Sequence, residues 1–253
     1  MLRTRVIPSL LLKNGGLVKT IKFRAPRYVG DPINAIRIFN EKEVDELVIL
    51  DIDASRRGSI DFLALSRINK EAFMPLGYGG GVRAVIDVKK ILALGYEKIV
   101  IDSYALELLS FVRAAADSCG SQSIVVCIDV KRDMFNRYKV YDYLRRRTLK
   151  LDPIEWSRTV EREGAGEILL NDVDREGTYA GYDLSLLSEV TSSVDIPVIA
   201  LGGARNLDDL VLAVREGGAS AVAAGSLFVF HGPHKAVLIT YPDKAELKRR
   251  LNS

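Results

Sequence analysis

The sequence predicts a closed (β/α)8 barrel assembled from two related halves. Length is the first reason: 253 residues is the usual size of one such barrel, roughly 250 residues. The second is alternation, with short apolar runs separated by longer amphipathic stretches along the whole chain. The third is an internal repeat whose period is close to half the chain. Strand–helix alternation alone would also suit an open, doubly wound sheet; the repeat favours the barrel.

The expected strands are 5–12, 46–51, 73–77, 98–102, 123–130, 167–172, 197–200 and 221–224. Each is a nearly continuous apolar run, as strands covered on both faces should be. Between them lie helical patterns such as 84–94, with Val85, Val88, Ile91 and Leu92 on one face. Asp152 is placed to cap a helix that begins with Pro153. Segment 132–151 alternates apolar and polar residues about Asn136-Arg137 and reads as a β-hairpin inserted after the fifth strand. Its Tyr138, Tyr141 and Tyr143 are expected to pack the hairpin, with an active-face lid as the other reading.

The repeat is explicit. Glu46 through Asp53 resembles Glu167 through Asp174, and Pro75 through Arg83 resembles Pro197 through Arg205. Asp87 and Asp209, Gly95 and Gly217, and Ser103 and Ser226 continue the correspondence. Ile7–Lys13 pairs with 127–131, which places Leu11 opposite Asp129. One domain spanning 1–253 is expected, with halves of about 1–120 and 121–253.

Composition narrows the function classes. A net charge of +3 is too small to argue for nucleic acid. The Arg145-Arg146-Arg147 cluster reads as a solvated face. Cys119 and Cys127 fit neither a zinc motif nor a disulfide framework, and Cys127 is expected in the core. His231 and His234 are too isolated to be ligands. No metal and no cofactor is expected. No apolar run approaches the ~20 residues of a membrane span, and the chain opens directly into a strand, so a cytoplasmic protein is expected.

In a barrel of this kind the site is built from residues that follow the strands. Gly79-Gly80-Gly81 and Gly202-Gly203 leave backbone N–H groups free to approach an anion. Ser103 and Ser226, one strand later in each half, can donate a hydroxyl to the same anion. Two such sites at related positions imply a ligand with phosphate at both ends. Asp129, among apolar neighbours, is the candidate general acid or base. Its counterpart Leu11 can neither take nor give a proton. Asp51, Asp53, Asp102, Asp172 and Asp174 also end strands. Arg5, Glu46, Lys98 and Glu167 lie at strand starts, where an ion network would ordinarily serve stability.

The segments VIPSLLLKNG, DELVILDIDAS, GGGVR, CIDVK, GAGEILLNDVDREGTYAGYD and IPVIALGGA together resemble the cyclase subunit of imidazole glycerol phosphate synthase, over nearly the whole chain. The resemblance implies a HisH-like glutaminase docked on the barrel bottom, ammonia passing through the barrel, and a phosphorylated small-molecule substrate at the top. It implies that Arg5, Glu46, Lys98 and Glu167 gate ammonia, and that Lys19 is a mobile first-loop lysine near the site. It also implies phosphate contact at Gly80, Gly81, Gly177, Gly203 and Ser226, and catalysis by Asp129. The departures are Leu11 for an aspartate, Asp102 for an asparagine, Leu201 for a serine and Asn171 for a threonine. They make the chain more similar to the glycosyl amidation-associated paralogues (WbuZ type), which work beside an N-acetyl-sugar amidotransferase in surface-polysaccharide or nonulosonate pathways. The alternative is a true cyclase in which Asp51 or Asp174 replaces the missing carboxylate.

Overall fold

The computed structural model describes residues 4–251. Eight parallel strands close on themselves. They are β1 (Arg5–Lys13), β2 (Leu47–Asp51), β3 (Leu76–Gly79), β4 (Lys98–Ile101), β5 (Ile124–Arg132), β6 (Glu167–Asp172), β7 (Val198–Leu201) and β8 (Ala221–Ala224). Each pairs with its sequence neighbour. β8 pairs with β1 through Arg5↔Ala221 to Pro8↔Ala224, which completes the cylinder. The expected barrel is therefore present, with helices between the strands.

Apolar side chains divide between two cores. The larger lies between the strands and the helices and contains Tyr78, Phe39, Ile49 and Ile168. The smaller fills the barrel interior with Ile7, Val48, Val100, Val125, Cys127, Leu169, Ile199, Ala221 and Ala223. Strand side chains alternate between these two destinations, which is why the strands read as unbroken apolar runs. Cys127 is a core thiol, as expected.

Two expectations need correction. The third strand is not 73–77 but Leu76–Gly79. Phe73, which suggested a strand start, is 88% exposed. The inward positions of β3 are glycines: a Cβ at Gly79 would stand 2.9 Å from both Leu50 Cδ2 and Val100 Cβ. The apolar signal therefore lay upstream of the strand itself. Second, β1 does not end in a loop. It turns back into an antiparallel strand, Gly16–Ile21, followed by Arg24–Gly30. Lys19 sits on the first of these, buried rather than on a loop.

Other local readings hold. Segment 132–151 is a hairpin in which Tyr138–Asp142 pairs with the end of β5, turning at Asn136 with φ 59°. The Asp152 carboxylate accepts hydrogen bonds from the Ile154 and Glu155 amides at the start of helix Pro153–Arg162. Arg145, Arg146 and Arg147 are exposed. No helix of the described residues is long and apolar enough to cross a membrane.

Candidate functional site at the barrel mouth

A cavity of about 150 Å³ opens at the C-terminal ends of the strands. It brings together Leu11, Lys19, Asp51, Gly80, Gly81, Asp102, Ser103, Asp129, Asn171, Gly177, Gly202, Gly203 and Ser226, all residues singled out by the sequence. Asp174 is not among the lining residues. It accepts from the Arg132 amide and lies 3.5 Å from Lys131 Nζ. Asp51 lines the cavity but is already engaged, by the Asp53 and Ala54 amides and by Arg57 at 2.9 Å. Neither is free to replace a carboxylate at position 11.

The glycine turns sit where side chains cannot. Gly80 has φ 124°, and a Cβ there would meet the Asp51 carbonyl oxygen at 2.3 Å. Gly203 has φ 104°, and its Cβ would meet the Gly181 carbonyl oxygen at 2.3 Å. Helices Val85–Ala93 and Leu207–Arg215 follow the two turns. Ser103 and Ser226 open the short helices Ser103–Glu107 and Ser226–Val229. The two halves thus present matching glycine and serine positions to one cavity.

Below those turns the symmetry fails. Leu11 is paired with Leu50 across β1 and β2, and Asp129 with Asn171 across β5 and β6. These pairs are equivalent under the repeat, so one wall of the mouth is apolar and the opposite wall is polar. Asn171 Nδ2 donates to Asp129 Oδ1 at 2.8 Å, and Cys127 Sγ lies 3.8 Å from the same oxygen. Burial pushes the Asp129 carboxyl well above the usual carboxylate range, and neighbouring Asp102 adds to the rise. Burial raises Asp102 to about 7, against the pull of a hydrogen bond from Ser103.

Lys19 Nζ donates to the Ser9 carbonyl at 2.9 Å. Burial lowers its pKa to about 8, although Glu176 favours its charge. Gly225, absent from the sequence reading, creates the space: a Cβ there would come within 1.8 Å of Lys19 Nζ. Its repeat counterpart is Asp102, a comparison that could have exposed it. Phe23 and Tyr143 were also not assigned to the site, yet both line the cavity and meet edge to face at 5.5 Å. Tyr138 packs within its hairpin, bonded to Asp183.

At the opposite end, Arg5 bonds Glu46 at 2.6 Å and Glu167 at 3.0 Å, and Lys98 bonds Glu167 at 3.0 Å. No ion pair joins Lys98 to Glu46 among the described residues. Both line a second cavity of about 10 Å³, whose other lining residues are Ile7, Val48, Val100, Val125, Leu169, Ile199 and Ala223.

Fold and site together define the class: a (β/α)8 barrel with its site at the mouth and a charged ring at its base. Residues 5–234 match the family described as "Histidine biosynthesis protein", and the chain belongs to that family. It is 51% identical over 98% of its length to 99% of a Pseudomonas aeruginosa protein named "Putative imidazole glycerol phosphate synthase subunit hisF2". A Vibrio vulnificus protein with the corresponding name, hisF3, is 46% identical over 99% of this chain and 97% of its own. The "Imidazole glycerol phosphate synthase subunit HisF" of Caulobacter vibrioides is 43% identical over 91% of this chain and 89% of its own.

Proposed function

We propose that the chain is the synthase-type subunit of a glutamine amidotransferase system. It takes ammonia from a HisH-like glutaminase at the base of the barrel and delivers it to the mouth. The carrying observation is the ring of Arg5, Glu46, Lys98 and Glu167, unbonded on the side where the small cavity lies. About 10 Å³ is the room one water-sized molecule needs, and the apolar walls above it favour neutral ammonia over a hydrated cation. Glu167 Oε2 is buried without a hydrogen-bond partner and offers an acceptor to a passing N–H.

At the mouth, the glycine and serine pairs suit a phosphorylated small molecule, with Gly80, Gly81 and Ser103 on one side and Gly177, Gly202, Gly203 and Ser226 on the other. Leu11 argues against the ordinary cyclase reaction, because a missing general acid or base costs on the order of 10²–10⁴ in rate. We therefore assign the delivered nitrogen to amidation of an N-acetyl sugar in surface-polysaccharide or nonulosonate synthesis, beside an N-acetyl-sugar amidotransferase. The similarity to Caulobacter HisF and the retained Asp129 support the alternative, a histidine-pathway cyclase with a rearranged acid/base pair.

Expression of this gene in a cyclase-deficient histidine auxotroph separates the two. Our reading predicts no growth without histidine, together with co-purification of a HisH-like glutaminase. Restored growth would overturn it in favour of the cyclase.

A further inference from the structure

The two ends of the mouth cavity are built alike but equipped differently. Gly81 and Gly203 correspond under the repeat, yet the Gly81 amide already donates to Ser55 Oγ at 3.2 Å. The Gly203 amide donates to no protein acceptor among the described residues. Ser103 and Ser226 divide in the same way. Ser103 Oγ donates to Asp102 Oδ2 at 3.0 Å, so its single hydrogen is taken and lone pairs are what it can offer a ligand. Ser226 follows Gly225, which has no side chain, and its hydroxyl has no protein partner among the described residues.

Charge separates the ends as well. Lys19 Nζ rests against the Gly225 backbone, next to Ser226, where a Cβ would come within 1.8 Å of it. Glu176, its counter-charge, is occupied by the Thr20 hydroxyl and the Phe23 amide. At the other end Asp102 stands in the place of Gly225, and no ion pair reaches it among the described residues. Arg83 lines the cavity beside Gly81 but is turned toward Glu107 at 3.8 Å and lies over the Tyr104 ring. Arg57 is bonded to Asp51. A phosphate needs donors and cations around its oxygens, and a carboxylate in their place repels it.

We propose that the mouth takes a ligand with a single phosphate, held by Gly203, Ser226 and Lys19, and that Asp102 and Ser103 at the other end accept hydrogen bonds from its hydroxyl or N–H groups. The inference rests on the reading of the mouth as a site for a phosphorylated small molecule and narrows it. The repeat by itself favours phosphate at both ends; Asp102 breaks that symmetry in two ways. It places negative charge where the second phosphate would sit, and it removes the Ser103 hydrogen that would have bonded to it. What remains there is a set of acceptors, which matches the hydroxyl and amide N–H groups of an N-acetylated sugar monophosphate and rejects a bisphosphate.

The test is calorimetric titration of the whole chain with inorganic phosphate near pH 8, above the Asp102 value of about 7. The wild type should bind one equivalent. Ser226→Ala should weaken it at least about tenfold, Ser103→Ala should leave it unchanged, and Asp102→Asn should add a second equivalent. N-acetylglucosamine 6-phosphate should bind the wild type at least about tenfold more tightly than inorganic phosphate, and Asp102→Ala should lose that gain. Two equivalents on the wild type, or one that depends on Ser103 and not on Ser226, would overturn the division while leaving the mouth a phosphate site. A single equivalent on Asp102→Asn, or no gain from the sugar, would overturn the part given to Asp102. The wild-type stoichiometry stands even where a variant misfolds. No phosphate bound at all would remove both this assignment and the phosphorylated-ligand reading, and would leave ammonia delivery from the base untouched.

Discussion

Leu11 and Asp129 occupy equivalent places in the two halves, and their difference sets the polarity of the mouth. The loss of one carboxylate did not leave the cavity without acid, because Asp102 stands where the other half has Gly225. A carboxyl whose folded pKa is raised binds more protons in the folded than in the unfolded state. Its stabilisation is present in full below the unfolded value, about 3.9, and is lost as pH rises through the folded value. For Asp102 that window runs up to about 7. The chain should therefore melt several degrees higher near pH 5 than near pH 8, at roughly 2–4 °C per kcal/mol. Asp102→Asn should flatten that slope; an unchanged slope would contradict the raised midpoint. Gly225→Ala should expel the Lys19 ammonium from its place against Ser9. Its titration should then rise from about 8 toward the free-lysine value near 10.4, as seen by lysine-selective NMR.

At the scale of elements, legibility followed the period of the pattern. Seven strands lay where apolar runs placed them to within a residue or two, since both faces of each are covered. β3 slipped because its inward residues are Gly77 and Gly79, which carry no hydrophobic signal. The strands Gly16–Ile21 and Arg24–Gly30 were missed for a different reason. Their Lys19, Arg24 and Arg27 interrupt any period-two apolar pattern, and Lys22 and Phe23 in the turn between them and Ala25 in the second strand take positive φ values that sequence does not announce. The two excursions above the mouth touch through Phe23 and Tyr143, a contact invisible to any local pattern. A double-mutant cycle with Phe23→Ala and Tyr143→Ala should give a coupling of about 0.5–1.5 kcal/mol in denaturant unfolding. Additive effects would mean that the excursions are independent. Asp152→Ala, which removes the cap of helix Pro153–Arg162, should cost about 1 kcal/mol in the same assay.

For the whole molecule, the internal repeat was the most informative feature of the sequence. It fixed the closed barrel, paired the glycine turns, and showed where the pairing fails. What it could not show was which acids would be engaged by cations and backbone amides from other elements. Asp51 and Asp174 looked as available as Asp102 until Arg57, Arg132 and Lys131 were seen beside the first two. A charged ring at the base, an apolar interior and a polar wall at the mouth together make the proposed path for ammonia. The most direct test is glutamine hydrolysis by the HisH-like glutaminase in complex with this chain and with its Lys98→Met variant. Removing Lys98 takes a cation from Glu167 and alters the ring without touching the mouth. We predict that the wild-type chain forms a stable complex and stimulates hydrolysis, and that Lys98→Met keeps the complex but changes the rate at least several-fold. No complex, or a rate indifferent to Lys98, would contradict the passage of ammonia through this barrel.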